Sequence, residues 1–396
     1  MSTFFKVIPF YALLVLACMN FLGRGPIVFF ISMIIGICFM TRNSYEKQSL
    51  TLTNFLPFLL LTIITCITSF YNFEIKDTIK TFNFLLAYYL GVSIYNKSED
   101  NEGIIRNVIT YSVIGFLINL ILIYYINLIV LHHDIGDRNL FDYWTGEYTP
   151  GTLVGLLCAM PIAISYYLIA VSEQKIYKLL GFVIVVFVCI INNATATRTP
   201  FVLLILVFFI MTLCIMKENR GKVIIASCIA IAVALSMYEF NAFNLYDIIN
   251  NSAIVDRFNE ESTSTSRVDV TLYYFGILFD YPFGGKHGAE VIGFEPHNFI
   301  QEMQFLYGIF PFLICLFISI KIVILLIRFY RASNKKNIDV LLMASLLSVF
   351  VQCLLEPVYA GYPQLLWLLF LLTGMGEMRL RDITYLNNLE YETLTY

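Results

Sequence analysis

The chain has 396 residues, of which 59% are hydrophobic and only 13% are charged, and its formal net charge is −3. This composition excludes an ordinary soluble domain, and it is typical of a helical protein with many membrane-spanning segments. Nothing in the balance of charge predicts a nucleic-acid partner.

Apolar runs of membrane length follow one another along most of the chain. A bilayer core requires roughly 17–25 apolar residues per helix, because no water there satisfies the backbone amides. The sequence therefore predicts one integral-membrane domain over residues 1–396, an all-α, polytopic transmembrane bundle of about twelve spans. Several runs are short, so a count of eleven stays open. The predicted spans are residues 7–22, 27–40, 55–71, 82–95, 104–131, 153–171, 179–191, 201–216, 223–238, 299–327, 340–355 and 365–376.

The positions of lysine and arginine predict the orientation. Cytoplasmic loops of membrane proteins carry an excess of these residues. With the amino terminus in the cytoplasm, sixteen of the 25 cations fall on the cytoplasmic side and eight on the outer side, while Lys321 lies within a span. Both termini are therefore predicted to be cytoplasmic. Residues 132–151 form the shorter outer loop, and residues 239–296 form the large one.

The large outer loop carries Arg267 near its middle and ends where the next apolar run begins. Ser266 is a good helix cap, so we expect a helix to start there and to include the apolar residues 268–279. About a dozen apolar residues are too few to cross a bilayer, which predicts an interfacial or re-entrant helix. The proline and paired glycines of residues 282–285 end this helix in a turn.

Two residues of this region are candidates for a binding or catalytic role. Arg267 is most simply a solvated loop charge paired with an acid such as Asp269, but a guanidinium also presents a planar donor fork to phosphate. His297 follows Pro296 and is expected near a helix N-terminus, where the dipole favours a neutral imidazole that can accept a proton. The alternative for His297 is an interfacial residue that only bonds to the backbone.

The outer connection of residues 192–200 contains a third candidate. Thr199 can cap the following helix and Pro200 can occupy its first turn, so Arg198 is expected beside a helix N-terminus. Free amides, the helix dipole and a guanidinium together suit an anion. The alternative is an arginine that only extends its charge to the interface from a helix end.

The shorter outer loop offers weaker candidates. Arg138 and Trp144 lie among aromatic residues that can stack on sugar rings, although an interfacial aromatic belt is the commoner use. His132, His133 and Asp134 resemble a metal-ligand cluster, but adjacent loop histidines are more often solvated. We expect no metal and no cofactor.

Three segments in this order resemble the bacterial O-antigen polymerase and ligase superfamily, which are Wzy-like integral-membrane glycosyltransferases of GT-C type. They are Thr-Ala-Thr-Arg-Thr-Pro at residues 195–200, then Arg267 with its apolar stretch and Asp-Tyr-Pro-Phe-Gly-Gly turn, then Pro296-His297-Asn298 with Gly308 further on. The resemblance covers residues 195–317. The sequence departs from the family pattern at Thr199-Pro200, where the family often has glycine after the arginine, and at Gly284-Gly285-Lys286, which stands in place of Gly-x-Gly.

The resemblance implies an inverting, metal-independent transfer from undecaprenyl diphosphate at the outer leaflet of the bacterial inner membrane. His297 would act as base on an acceptor hydroxyl, and Arg198 and Arg267 would stabilise the diphosphate. The substrate-binding residues that it implies are Arg198, Arg267, Asn298, Arg138 and Trp144.

Three functions follow from the resemblance and the composition. The first is a polymerase that joins lipid-linked repeat units into O-antigen or capsule polysaccharide, with membrane lipid and a chain-length regulator protein as partners. The second is a ligase that moves finished polymer to a lipid A core or a protein. The third is a lipid-oligosaccharide flippase or another transporter, although such a protein is expected to carry more charges inside its spans than Lys321.

Overall fold

The computed structural model describes residues 3–41, 52–72, 75–98, 100–134, 136–137, 139–216, 267–289, 293–332 and 336–394. The predicted span 223–238, most of the loop 239–296, Arg138 and the side chain of Arg267 lie outside these residues. The architecture is helical as predicted, with fourteen α-helices in the part of the chain that is described.

The elements before the large predicted loop are eight α-helices, a short 3-10 helix at Phe21–Gly23 and one small hairpin. They are α1 Thr3–Cys18, α2 Gly25–Thr41, α3 Leu52–Tyr71, α4 Ile75–Asn96, α5 Asn101–Tyr124 with a π-helical end at Tyr125–Val130, β1 Asn139–Phe141, β2 Tyr148–Pro150, α6 Thr152–Ala170, α7 Lys175–Ala194 and α8 Thr199–Ile215. The hairpin was not predicted. Its two strands are antiparallel and pair Leu140 with Thr149.

Six helices follow in the carboxy-terminal part of the chain. They are α9 Arg267–Gly276, α10 Phe299–Tyr307, α11 Ile309–Arg331, α12 Asn337–Leu355, α13 Val358–Gly361 and α14 Pro363–Leu394. The start of α9 at Arg267 confirms the helix expected after Ser266.

Six helices of the described residues are long and apolar enough to cross a membrane, by length and composition. They are Asn54–Tyr71, Asn101–Val130, Thr152–Ala170, Lys175–Ala194, Ile309–Arg331 and Asn337–Leu355. Three shorter apolar helices, Ile8–Cys18, Gly25–Cys38 and Thr199–Ile215, fall on three further predicted spans. The total of about twelve crossings stays a prediction.

The predicted span 299–327 is not one helix, and this expectation was wrong. The helix is interrupted at Gly308, which lies between α10 and α11 and has φ 92° and ψ −168°. This backbone region is open essentially only to glycine. The apolar run continues across the break, so hydrophobic length alone did not indicate it.

The chain divides into two compact units, one of residues 1–119 with 265–396 and one of residues 120–264. In the first unit, α4 packs closely on α14. The two helices are so close that a side chain at Gly91 would place its Cβ only 2.1 Å from the Leu371 carbonyl oxygen. An aromatic cluster supports this contact. Phe58 and Tyr88 stack with ring centroids 4.0 Å apart, and Phe370 meets Phe58 edge-on at 5.0 Å.

Two close ion pairs connect α14 with α11 and α12 in the first unit. Lys321 of α11 lies 2.7 Å from the Glu377 carboxylate of α14, which also accepts a hydrogen bond from the Tyr88 hydroxyl. Asp339 of α12 is fully buried, and its carboxylate accepts a hydrogen bond from Nε of Arg379 of α14 at 2.6 Å. These pairs explain how charged residues lie within otherwise apolar helices.

In the second unit, α6 is the buried helix. Fourteen of its residues are buried, against six of α7 and five of α8. A helix that is apolar on every side is typical of such a central position.

Candidate functional site

Asn298 determines where the helix after His297 begins. Its side-chain Oδ1 accepts a hydrogen bond from the Gln301 backbone N–H at 2.9 Å, and its Nδ2 donates to Gln301 Oε1 at 2.8 Å. Asparagine is among the strongest N-caps, so α10 starts at Phe299 and not at Pro296. His297 is half-buried and immediately precedes the cap, which agrees with its predicted place near a helix N-terminus.

Two glutamine side chains of α10 bind the backbone of α9. Gln301 Nε2 donates to the Thr271 carbonyl oxygen at 2.9 Å, and Gln304 Nε2 donates to the Tyr274 carbonyl oxygen at 2.8 Å. The buried Tyr274 hydroxyl in turn donates to the Phe294 carbonyl oxygen at 2.8 Å. The helix that begins at Arg267 is therefore held against the helix that follows His297.

The glycine turn between these helices is attached to the same place. The backbone N–H groups of Gly285 and Lys286 donate to the carbonyl oxygens of Leu306 and Phe305 at 3.2 and 3.0 Å. The Ile309 N–H donates to the Pro282 carbonyl oxygen at 3.0 Å. These hydrogen bonds hold the turn against the helix interruption at Gly308, between α10 and α11.

We expect a Gly308→Ala substitution to destabilise this arrangement strongly. A Cβ at Gly308 would lie 2.0 Å from the Pro282 carbonyl oxygen, in addition to the unfavourable backbone angles. The strained conformation alone costs on the order of 1–3 kcal/mol, and the steric overlap adds to it. Thermal unfolding of the detergent-solubilised protein measures the loss.

The matched control for this substitution is Gly146→Ala. Gly146 also has a positive φ, of 72°, but a Cβ there meets nothing within 4 Å. We expect a loss of about 1–2 kcal/mol for the control, from the left-handed backbone alone. Equal losses for the two variants would contradict the close contact between Gly308 and Pro282.

Glu302 is a functional candidate that was not predicted. It lies one turn into α10, and its carboxylate accepts hydrogen bonds from the N–H groups of Tyr359 and Ala360, each at 2.9 Å. Burial raises the pKa of this carboxyl group to about 7, although the backbone donors oppose the shift. A group with this pKa exchanges its proton near neutral pH. The available signal was a lone acid in an apolar run, since no other acid lies between residues 297 and 338.

We expect Glu302 to make stability depend on pH. Its folded pKa of about 7 lies above the reference value of 4.5, so the folded protein binds the proton more tightly than the unfolded chain does. The resulting stabilisation is complete below the unfolded pKa and is lost as the pH rises through the folded pKa. The shift corresponds to about 3 kcal/mol. Thermal unfolding at several pH values between 4.5 and 7 measures it.

The E302Q variant should lose this pH dependence and should also be less stable at low pH, because its amide cannot accept both backbone donors as a carboxyl group does. The exposed Glu147 provides the control. E147Q should retain the wild-type dependence on pH. A wild-type slope in E302Q would show that another group titrates in this range.

Arg198 occupies the N-cap position of α8 in the second unit, and Thr199 is the first helical residue. Thr199 was expected to be the cap, so this boundary is shifted by one residue, while Pro200 lies in the first turn as predicted. The preceding segment is well ordered by its threonines. Thr197 Oγ1 donates to the Gly151 carbonyl oxygen at 3.1 Å and contacts the Thr195 hydroxyl at 2.9 Å.

The second unit brings together its two predicted outer segments. The Gly151 carbonyl belongs to the end of the loop 132–151, and the Gly136 N–H of the same loop donates to the Ala194 carbonyl oxygen at 2.7 Å. Trp144 is half-buried in the hairpin, with its ring 5.3 Å from that of Tyr143. Arg198 and Trp144 therefore lie on neighbouring segments of this unit.

The histidines of this loop show no metal arrangement. His133 Nδ1 lies 3.3 Å from Asp137 Oδ2, and its ring stacks on that of Tyr148. In the described part of the chain, no group of three histidine, cysteine, aspartate or glutamate residues is placed to hold a metal ion.

The predicted site residues fall in both units. His297, Asn298 and the backbone of Arg267 lie in the first unit, whereas Arg198 and Trp144 lie in the second. The convergence of Arg198 with His297 and Arg267 stays a prediction.

Fold and site together define a predominantly helical class of protein, in which six helices of the described residues are long and apolar enough to cross a membrane and a polar segment lies around His297. No family model matches the chain, and no curated protein matches it.

Proposed function

We propose that this protein is a glycosyltransferase of the bacterial inner membrane, with both termini in the cytoplasm, that polymerises polysaccharide. Its donor is an oligosaccharide on undecaprenyl diphosphate, and its acceptor is a sugar hydroxyl of a second lipid-linked repeat unit. His297 acts as the base, and Arg198 and Arg267 bind the diphosphate.

The observation that carries the proposal is the attachment of α9 to α10. Gln301 and Gln304 hold the helix that starts at Arg267 against the helix whose cap follows His297. A base and a phosphate-binding guanidinium must act on one anomeric centre, so their two segments have to be positioned together. The hydrogen bonds of Asn298 and of the glycine turn further restrict this region.

The reaction needs only a base and charge stabilisation. The acceptor oxygen forms a bond to the anomeric carbon as its proton passes to the imidazole of His297, and the bond from that carbon to the diphosphate oxygen breaks. The electron pair leaves with the lipid diphosphate, whose charge the two guanidiniums stabilise. Diphosphate is already a good leaving group, so no general acid is required. Attack opposite the leaving group inverts the anomeric configuration.

The test uses the purified protein with a synthetic repeat unit on undecaprenyl diphosphate. A ladder of polymers from this substrate alone supports a polymerase. Product that forms only after a core-lipid or protein acceptor is added identifies a ligase instead. Movement of the intact substrate across vesicles, with no new glycosidic bond, identifies a transporter and contradicts both transferase functions.

A further inference from the structure

A cavity of about 1000 Å³ opens in the first unit. Its walls come from α11 and α14, with Asn54 near the start of α3 also lining it. The cavity lies at the carboxy-terminal end of α11, whereas α10 and the segment of His297 precede its amino-terminal end. The residues of α11 that line the cavity begin at Lys321, twelve residues after the start of the helix, so roughly 18 Å of helix separates the cavity from that end.

The lining of this cavity is strongly cationic. Four cations line it, namely Lys321, Arg328, Arg331 and Arg381, against the single acid Glu377, which leaves three formal positive charges. Lys321 and Glu377 form an ion pair, with 2.7 Å between the lysine Nζ and a carboxylate oxygen. No carboxylate of the described residues lies within salt-bridge distance of Arg328 or Arg331. Arg328 and Arg331 therefore carry positive charge that no carboxylate of the described residues neutralises.

The same cavity has an apolar wall. Ile324 and Leu325 of α11 and Leu380 and Ile383 of α14 line it. On α11 the lining residues recur at the three- and four-residue spacing of one helix face, from Lys321 to Arg331. Ten residues of helix correspond to about 15 Å. The cavity is thus long, with an apolar wall and arginines at the end where α11 stops.

We propose that this cavity binds an anionic membrane lipid, with the lipid phosphate at Arg328 and Arg331 and its hydrocarbon along Ile324 and Leu380. Guanidinium forms strong paired hydrogen bonds with phosphate. A soluble phosphate would use the arginines but would leave the apolar wall in contact with water, which favours an amphiphile. The positive-inside rule predicts that this end of α11 faces the cytoplasmic leaflet, where anionic headgroups are available.

The experiment measures lipid retention by the full-length protein in neutral detergent with native mass spectrometry. Phosphatidylglycerol is the anionic probe, and phosphatidylcholine is the zwitterionic comparison. We expect at least tenfold greater retention of phosphatidylglycerol, and a loss of most of this preference in an R328Q/R331Q variant. The matched control is K175Q/K178Q, which removes two exposed charges from a segment also predicted to be cytoplasmic.

Three results would overturn the proposal. The first is an equal loss in the two double variants, which would indicate general attraction of lipid to surface charge. The second is saturable binding of inorganic phosphate with no preference for phosphatidylglycerol, which would indicate a soluble ligand. The third is retention by R328Q/R331Q equal to that of the wild type. Size-exclusion chromatography establishes that both variants are folded, and the measurement does not depend on transferase activity.

Discussion

Replacing His297 with alanine is expected to lower glycosyl transfer by about 100- to 10,000-fold, the range that a general base contributes. The acceptor hydroxyl is a weak nucleophile at neutral pH and needs a partner to take its proton as the new bond forms. Polymer formation from the synthetic lipid-linked repeat unit, followed over a time course, measures the loss. Binding of the substrate should be retained, because the phosphate-binding residues are unchanged.

Two controls distinguish a base from a structural histidine. The exposed His287 follows the glycine turn of the same unit, and H287A should retain most of the activity. Added imidazole should restore part of the activity of H297A, since a free base can take the vacant place. A folded H297A protein with the wild-type rate would refute the assignment of the base and, with it, the transfer mechanism proposed above.

Asp339→Asn is expected to destabilise the protein by about 3–5 kcal/mol, the usual cost of breaking a buried ion pair by removing one partner. Asp339 is fully buried, and Arg379, which is 6% exposed, approaches its two carboxylate oxygens at 2.6 and 3.2 Å. The same carboxylate accepts the Lys336 backbone N–H at 2.8 Å. The asparagine variant would leave the buried guanidinium without its closest negative charge, with only the more distant Glu102 remaining. Unfolding of the solubilised protein by heat or denaturant measures the effect.

A nearby exposed pair provides the comparison. Glu102 lies 2.6 Å from Lys336 Nζ and 3.8 Å from Arg379 Nη2, with its side chain 38% exposed. E102Q should cost less than about 1 kcal/mol, as exposed pairs usually do. The double variant D339N/R379Q should be more stable than the sum of the two single losses predicts. An additive result, or a loss in D339N no larger than in E102Q, would contradict a strong buried pair.

Sequence patterns predicted most helices closely, because an apolar run of membrane length has few other ways to satisfy its backbone. The run 153–171 became α6 Thr152–Ala170, and the run 340–355 became α12 Asn337–Leu355. The break at Gly308 was missed for the same reason, since the apolar pattern continues through it. A carbonyl from the distant turn at Pro282 makes that glycine necessary, and no local pattern shows such a contact.

The candidate site was likewise predicted only in part from the sequence. Arg198, Arg267 and His297 were selected as candidates from residue type and position beside predicted helix starts, and the structure shifts those starts by only a few residues. Glu302 was missed because the chemistry of a single acid in a helix depends on its surroundings, and the sequence does not show those surroundings. Burial raises its pKa, while the N–H groups of residues 359 and 360, which lie far along the chain, donate to the carboxylate and oppose the shift.

The amino-acid sequence by itself determined the helical class, the approximate helices and the presence of Lys321 within an apolar run, because these depend on local hydrophobicity and backbone hydrogen bonding. Only the tertiary structure decided which charge neutralises which, as when Lys321 meets Glu377 and Asp339 meets Arg379. It also decided that arginines of α11 and apolar residues of α14 share one cavity. The physical reason is that these energies depend on distances between residues far apart in the chain, which no sequence spacing encodes.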